Sequence, residues 1–544
     1  MSSTSKHPKG LLFLAFTEFW ERFGYYLMIG IFFLYMTDTE TGGFGWESGK
    51  ASDVFGTFIA CVYLTPFIGG LLADMKLGYR FAVTLGGILM GIGYCLLSVH
   101  AEWAFYTALC IMIVGNGFFK PNISTLLGNL YNDPQYKANK DTGYNLFYMS
   151  INIGAFICNF VAAYMRIKYG WSWAFITAGI GMFLGVITFW IGMKHYKHVD
   201  VRKEPTPEDK PIIMRFLQVL AIALGFGVAG WFIPETIFGS DSTDAFLCAC
   251  IPVIYFYATI YKSCSTEEKK PVGTMYTIFG IVIIFWAIFK LNGTALTTYA
   301  NSYTDRAMPT AIVPAADSLF LSDKVVAKND SVYQLDAHFR RIKDANGNAI
   351  KYWGYPSYFK NLPPEKYPAE GEKIALIPTE LFQSINPFFV IVLTPLVVLF
   401  FGFLRARKKE PTTATKIAYG LLISGLSTLV MVAAVHYTGN GVTKASAWWL
   451  VGSYGVITIG ELCLSPMGLS MVSKLSPVRF TALMMGGWSL ATSIGNKMSG
   501  VLAKNWDKFD DKANFFWLNF ALLMFAFVLM MLLLKRLNQA FKEA

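Results

Sequence analysis

Charged residues are scarce in this chain. Only 15% of its 544 residues are Asp, Glu, Lys or Arg, whereas 54% are hydrophobic. A typical soluble domain has about 25% charged residues, so the composition excludes an ordinary soluble globular protein. The net charge of +11 does not indicate a nucleic-acid partner, because the Lys and Arg residues lie mainly in short loops between apolar runs.

Residues for metal or covalent chemistry are also sparse. The eight cysteines have no metal-ligand spacing, and Cys248 with Cys250 is an isolated pair. We therefore expect no disulfide framework, no metal site and no cofactor. No nucleophile–base set stands out, and His195 and His198 lie in a basic loop where solvated histidines are common. An enzyme is the least favoured class of function.

Apolar runs of roughly 20 residues, long enough to cross a bilayer, recur along the whole chain. Lipid-exposed backbone must satisfy its own hydrogen bonds, and barrel-type alternation is absent, so the runs predict an all-α polytopic membrane protein. We predict fourteen transmembrane helices, near 11–36, 51–75, 80–99, 103–130, 142–164, 172–194, 212–238, 243–262, 273–300, 377–404, 413–436, 444–470, 478–503 and 513–537.

Basic residues are concentrated in loops that all lie on one side if both termini are inside. By the positive-inside rule, both ends are then cytoplasmic, in a multi-pass inner-membrane protein. Arg166 and Lys168 on the opposite side are a minor exception. The basic loop residues are Lys6, Lys9, Lys76, Arg80, Lys137, Lys140, Lys194, Lys197, Arg202, Lys203, Lys210, Arg405, Arg407, Lys408, Lys409, Lys535 and Arg536.

The predicted helices fall into two blocks of six around an inserted pair. We assign 1–194 to an N-terminal six-helix bundle, 195–270 to the inserted pair with its linkers, and 271–544 to a C-terminal six-helix bundle. Secondary transporters that are built from two similar halves bind their substrate between these halves, near the midplane of the bilayer. The one long hydrophilic stretch, 301–376, lies on the outer side; a small folded cap and a poorly ordered loop are both open interpretations.

Three charges lie inside the first apolar run. Glu18, Glu21, Arg22, Tyr25 and Tyr26 follow helical spacing and share one face. Each charge at the bilayer centre costs about 2.5–3.5 kcal/mol on insertion scales, so this face is expected to line a wet, protein-walled site. The alternative is a structural ion pair that locks helix packing, although such a pair needs only one carboxylate.

Other charges within the predicted spans are Lys120, Lys290 and Glu461. Lys120 precedes Pro121, and Glu461 lies shortly before Ser465-Pro466, so these helices are predicted to bend near the site. Lys120 and Glu461 could form a static pair between the halves, or a gate. We count three acids against three bases inside the membrane.

A short loop between the second and third spans contains Gly69-Gly70, Asp74 and Arg80. Its glycines allow close helix approach, and Asp74 can pair with Arg80 across a tight turn. The loop resembles the signature loop of the major facilitator superfamily, where it serves gating.

The segment Glu18–Tyr26, E-F-W-E-R-F-G-Y-Y, is similar to the E-x-x-E-R-F-x-Y-Y motif of the proton-dependent oligopeptide transporter family. Further segments that resemble family signatures are Lys120-Pro121-Asn122, Phe147-Tyr148, Ile151-Asn152-Ile153-Gly154, Gln383-Ser384-Ile385-Asn386-Pro387, Gly460-Glu461, Leu464-Ser465-Pro466, Gly487-Trp488 and Gly495-Asn496. The resemblance implies a major facilitator fold and proton-coupled uptake of di- and tripeptides by alternating access, with the proton gradient as energy source.

The resemblance also implies roles for single residues. The peptide carboxylate would face Arg22 and Lys120, with Tyr25 and Tyr26 nearby. The peptide amine would face Glu461. The remaining implied roles are amide contacts from Asn152 and Asn386, side-chain pockets at Tyr63 and Trp488, proton uptake at Glu21 and secondarily Glu18, and gating at Asp74, Arg80, Lys120 and Glu461.

Two positions depart from the family pattern, which has an arginine where this chain has Ile29 and a glutamate where it has Lys290. Both members of an expected outer gate pair are changed. We predict that Lys290 pairs with the Glu18/Glu21 face in the empty state and biases the site toward acidic peptides. Alternatively, Lys290 extends to the membrane interface.

Other functions remain open at this stage. A more basic pocket also suits another small anion such as nitrate, although Glu461 and Asn152 would then have no amine to bind. A peptide sensor or a membrane scaffold is a further possibility that the intact proton motif disfavours. We expect the lipid bilayer as surroundings and a monomer as the functional unit.

Overall fold

The apolar runs fold as helices in a computed structural model that describes residues 7–73, 77–200, 209–362, 367–477 and 480–543. The helices are α1 Gly10–Thr37, α2 Ser48–Leu72, α3 Tyr79–Leu96, α4 Glu102–Leu130, α5 Lys140–Tyr169, α6 Trp171–Gly192, α7 Asp209–Trp231, α8 Asp241–Ser263, α9 Thr266–Phe289, α10 Ala295–Thr298, α11 Val313–Ser318, α12 Ile385–Ala406, α13 Thr413–Tyr437, α14 Ala447–Leu475, α15 Thr481–Lys504 and α16 Lys512–Glu543.

Within the described residues, eleven helices are long and apolar enough to cross a membrane. Three other long helices fall outside that set. α7 has only a shorter apolar stretch, Leu217–Trp231, α1 carries three charges in its middle, and α15 is rich in Gly, Ser and Thr. The mostly helical, polytopic fold is confirmed, whereas the total of fourteen spans stays a prediction.

The helices of the described chain share two large apolar cores. One is built from α1 to α6, and the other from α7, α8, α9 and the helices that follow, so the predicted inserted pair contributes to the second core. The predicted domain boundaries stay a prediction. The bundles meet where α2 packs along α15 and α5 along α12. Within the first bundle, a Cβ on Gly69 would lie 2.0 Å from the carbonyl oxygen of Gly117, so glycine is required for the close approach of α2 to α4.

The predicted span 273–300 is interrupted at Lys290. α9 ends at Phe289, a 3-10 turn covers Lys290–Gly293, α10 follows, and a π-helix covers Tyr299–Tyr303. π-helical segments often occur at functional sites. In contrast, α4 and α14 continue through Pro121 and Pro466, so these prolines are held inside unbroken helices.

The hydrophilic stretch is a folded cap, here defined as residues 304–362 and 367–376. It contains α11 and two antiparallel strand pairs, β2 Asp323–Val326 with β5 Lys373–Leu376, and β3 Asp330–Tyr333 with β4 Lys351–Gly354. Its root, β1 Thr304–Asp305, pairs in parallel with β6 Ala445–Ser446. Of the two interpretations from sequence, the folded cap is the one observed.

The cap contacts both bundles. Toward the first bundle, Arg341 donates to the carbonyl oxygen of Gly45 (2.7 Å), and Lys343 pairs with Glu47 (2.6 Å). Toward the second, Arg340 donates to the carbonyl oxygen of Asp507 (2.9 Å). The cap therefore lies across the boundary between the bundles, and we call this end of the molecule the cap side.

Candidate functional site

The charged face of α1 is buried. Glu18, Glu21 and Arg22 are 3%, 0% and 4% exposed. The Arg22 guanidinium donates through Nε and one terminal nitrogen to both carboxylate oxygens of Glu21, and its Nε lies 3.5 Å from Glu18 Oε1. One guanidinium thus holds two carboxylates of its own helix.

Two tyrosines complete this face. The Arg22 guanidinium carbon lies 5.0 Å from the ring centre of Tyr25 and 5.9 Å from that of Tyr26. The second oxygen of Glu18 has no hydrogen-bond partner in the described part of the chain. The predicted grouping of these five residues is therefore observed, with one carboxylate oxygen left available.

Tyr63 of α2 lies between two lysines. The Nζ of Lys120 in α4 is 4.7 Å from the ring centre, and the Nζ of Lys290 is 5.3 Å from it. Lys120 belongs to the first bundle and Lys290 to the second, so this ring lies at the boundary between them.

The predicted pairing of Lys290 with the Glu18/Glu21 face is wrong for this conformation. Across the described residues, Lys290 forms no ion pair with either carboxylate; Arg22 holds them instead. The physical reason is the helix break after Phe289, which places Lys290 in a 3-10 turn against Tyr63.

Glu461 of α14 is held by an amide. Asn386 Nδ2 donates to Glu461 Oε2 (3.1 Å) and to Thr458 Oγ1 (2.9 Å). The suggested static pair of Glu461 with Lys120 is not formed among the residues that the structure covers. Lys120 and Glu461 therefore remain separate charges of opposite sign on different bundles.

The two remaining predicted substrate residues lie on different helices. Asn152 of α5 donates to the backbone carbonyl of Tyr148 (2.9 Å) and is half-buried. Trp488 of α15 is buried, and the centre of its ring lies 6.1 Å from the centre of the Phe279 ring. A Cβ on Gly468 would lie 2.0 Å from the Trp488 ring. Gly468 therefore provides the space that the Trp488 ring occupies.

Arg80 of the signature loop pairs with Asp200. Its Nε lies 2.6 Å from Asp200 Oδ2, and the other oxygen of Asp200 accepts from the backbone N–H of Tyr79 (2.8 Å). Asp200 was not predicted from the sequence; its signal is an acid within the basic loop that follows α6. The predicted partner Asp74 lies outside the described residues. So do the loop residues Lys6, Lys76, Arg202 and Lys203.

Two ion pairs join the bundles on the cap side, and we call them the cap-side pairs. In the first, Arg166 Nε of α5 lies 2.7 Å from Glu380 Oε1, and Arg166 also binds Asp323 of the cap (3.0 Å). Glu380 is fully buried in the turn before α12. From the sequence, Arg166 is only an exception to the positive-inside rule, and that exception is the one signal of this pair.

The second cap-side pair joins Lys497 of α15 to Asp53 of α2 (2.8 Å). Lys497 Nζ also donates to Ser242 of α8 (2.9 Å) and to Thr57 (2.6 Å). Asp53 accepts from Ser240 and Ser242 as well. Both Asp53 and Lys497 lie within predicted spans, so the count of three acids against three bases was incomplete.

Comparison with known proteins identifies a family and similar transporters. The POT family model matches residues 80–320 and 372–518. The chain is 29% identical to the peptide transporter YePEPT of Yersinia enterocolitica over 91% of this chain and 87% of that protein. It is 28% identical to a di-/tripeptide transporter of Lactococcus lactis over 89% of this chain and 87% of that protein.

Solved structures agree with the fold. A crystal structure of peptide transporter POT in complex with sulfate superposes with a TM-score of 0.74 at 29% identity, covering 99% of this chain and 97% of that one. A POT family transporter in complex with 5-aminolevulinic acid gives a TM-score of 0.74 at 26% identity, covering 98% and 97%.

Proposed function

The chain belongs to the POT family, and from this premise we propose that it is a proton-coupled symporter that takes up di- and tripeptides by alternating access. As a family member it is a transporter and not an enzyme. Relatives named as peptide transporters support peptide as the substrate. Proton coupling, the site residues and any preference among peptides belong to the proposal.

The observation that carries the proposal is the guanidinium of Arg22 shared by two buried carboxylates. A peptide carboxylate that binds Arg22 competes with Glu21 and Glu18 for the same cation. A buried carboxylate that loses its cationic partner binds a proton more readily. Peptide binding and proton uptake are thereby linked at one side chain.

The separated charges around Arg22 suit a zwitterion. Lys120 and Lys290 flank Tyr63, while Glu461 lies on the second bundle beside Asn386. A peptide has a carboxylate and an ammonium at a fixed separation, so charges of opposite sign on different bundles can select it. The additional cation at Lys290 favours peptides with acidic side chains.

The driving force follows from the membrane. One charge that crosses 100 mV supplies about 2.3 kcal/mol, enough for roughly fifty-fold accumulation.

We propose that both termini are cytoplasmic, that the cap is outside, that the protein acts as a monomer and that no cofactor takes part.

The test is uptake of labelled Ala-Ala into proteoliposomes with an inward proton gradient. We expect gradient-driven accumulation by the native protein and its loss in Glu21→Gln, with exchange of peptide retained. Glu102→Gln, which removes an exposed carboxylate of α4, is the matched control and should accumulate Ala-Ala normally. Accumulation that survives in Glu21→Gln would refute the assigned proton site.

Competitors in the same assay test the substrate class. We expect inhibition by Ala-Asp and Ala-Lys, and none by free alanine or nitrate. Nitrate uptake without dipeptide uptake would replace peptide by a small anion as the substrate. The peptide names of the relatives do not favour that outcome.

A further inference from the structure

A second cavity lies on the cap side, between the cap and the ends of α1 and α5. Its volume is about 620 Å³, and its walls include Thr37, Glu40, Arg166, Arg306 and Tyr358. Sites for small organic ligands are typically about 300–1,000 Å³. The cavity is large enough for a dipeptide and is separate from the charged face of α1.

Several charged groups of this cavity already have partners. Arg166 binds Glu380 and Asp323. Asp38 accepts from the backbone N–H groups of Thr41 and Gly43. These groups hold the walls together and have little capacity left for a ligand.

Arg306 is different. It is only 6% exposed, and it donates to the carbonyl oxygen of Ile377 (2.9 Å) and to Asn301 Oδ1 (3.2 Å). Its Nε–H has no acceptor among the described residues. The carboxylates of Asp323 and Glu380 are near enough to act on its charge, but Arg166 binds both of them. A buried charge is costly unless it is paired, and this guanidinium has no carboxylate of its own in the described part of the chain.

A second cation adjoins Arg306. The Arg306 guanidinium lies 5.7 Å from the ring centre of Tyr358, and Lys444 Nζ lies 4.5 Å from the same centre. Lys444 donates to the backbone carbonyl of Ser302 (3.0 Å). Burial, and then the charge of Arg306, lower the pKa of Lys444 to about 7, while the nearby Asp305 carboxylate acts in the opposite direction.

An acidic group lines the same cavity from the first bundle. The Glu40 carboxylate accepts from Ser357 Oγ (3.0 Å), and no cation lies within ion-pair distance of it in the described ranges. Among the described residues, the cavity therefore offers a buried cation at Arg306 on the cap and an exposed carboxylate at Glu40 on the opposing bundle, neither of which has an ion-pair partner of its own.

We propose that this cavity is an outer binding site for zwitterionic peptides before they reach the central site, with Arg306 binding the carboxylate and Glu40 the ammonium. The inference rests on the proposed peptide transport. The cavity is lined by Leu34 of α1, twelve residues from Arg22 on the same helix, which corresponds to about 18 Å along the axis. α1 thus runs from the outer site to the central one.

The first experiment measures kinetics from each side of the membrane. Arg306→Gln should raise the KM of Ala-Ala uptake from the cap side about tenfold, the size expected for a lost charge-assisted hydrogen bond, and leave Vmax unchanged. The KM for efflux from the opposite side should not change. Arg306→Lys should recover part of the affinity, and Lys373→Gln on the exposed strand β5 should match the native protein.

Glu40→Gln sharpens the assignment. It should raise the cap-side KM of Ala-Ala but not the affinity for N-acetylalanine, which has no amine. Arg306→Gln should weaken both ligands. An unchanged cap-side KM in Arg306→Gln, or a lower Vmax at constant KM, would overturn the proposal and leave Arg306 as a support of the cap root.

A second readout does not depend on transport. Ser302→Cys, made in a Cys110→Ser background, places a thiol in the cavity wall, and its labelling by a membrane-impermeant reagent is followed with and without Ala-Ala. Protection that disappears with Arg306→Gln supports the site even if no uptake occurs, in which case peptide transport fails instead. Uptake without protection removes the outer site and leaves peptide transport intact.

Discussion

The cap side and the centre of the molecule use charged residues in opposite ways. On the cap side, Arg166 with Glu380 and Lys497 with Asp53 join one bundle to the other. At the centre, Arg22 pairs within its own helix, and among the described residues no ion pair crosses between the bundles there. Ion pairs thus hold the bundles together on the cap side, whereas the central charges form no such pair between bundles in the described residues and can bind a ligand instead.

This difference explains how a missing gate pair is tolerated. The positions at which the family resemblance implies an outer pair hold Ile29 and Lys290, which cannot pair with each other. The cap-side pairs join the bundles at other positions. Under the proposed function, Lys290 can then serve as a central cation, and closure and substrate recognition would depend on different residues.

The largest effect is expected when a cap-side pair is broken. Lys497→Met leaves the half-buried Asp53 without its cation, and removing one member of a buried pair costs up to about 3–5 kcal/mol. We expect a loss of this size in the free energy of unfolding, measured by denaturation in detergent. The double variant with Asp53→Asn should lose less than the single variant; equal losses would mean that the pair is not energetically coupled.

A smaller effect is expected from the unpaired cation Lys444. Its pKa of about 7 lies below the ordinary 10.5, so between these values the unfolded chain holds a proton that the native protein lacks. Stability then rises with pH across this window. Lys444→Met should be more stable than the native protein by about 1 kcal/mol at pH 6 after solvent screening, with the gain shrinking toward pH 10.

Thermal unfolding midpoints at pH 6, 8 and 10 provide this measurement. Lys373→Met, on an exposed strand of the same cap, controls for the general effect of removing a positive charge and should show a difference independent of pH. A gain for Lys444→Met that grows with pH would contradict the assignment.

The smallest effect on stability is expected at the centre. Lys290→Gln breaks no ion pair in the described structure, so the free energy of unfolding should change by less than about 1 kcal/mol. Its effect should appear in recognition instead, as a several-fold loss in competition by Ala-Asp with Ala-Lys unchanged or improved. If the native protein already prefers Ala-Lys over Ala-Asp, the role of Lys290 in acidic preference is wrong.

The α1 face could be predicted because helical spacing alone brings its members together. Glu18, Glu21 and Arg22 are close in sequence, so periodicity and the cost of burying charge were sufficient. The apolar runs likewise located the long helices. Both predictions depend only on the spacing of residues that are close in sequence, and a single sequence contains this information.

The cap-side pairs could not be predicted in this way. Arg166 and Glu380, like Asp53 and Lys497, are hundreds of residues apart and have no shared periodicity. The position of Lys290 was misjudged because an apolar run gives no sign that the helix stops after Phe289. Such placements depend on how the two bundles dock, which is a property of tertiary structure.

The contacts of Asp53 have a consequence for the inserted helices. Ser240 and Ser242, at the start of α8, bind the same carboxylate that joins α2 to Lys497 of α15. The start of α8 therefore takes part in the junction between the two bundles. A shortened chain without α7 and α8 would lose the hydroxyl groups that share Asp53 with Lys497. Deletion of the pair is therefore expected to weaken the junction between α2 and α15.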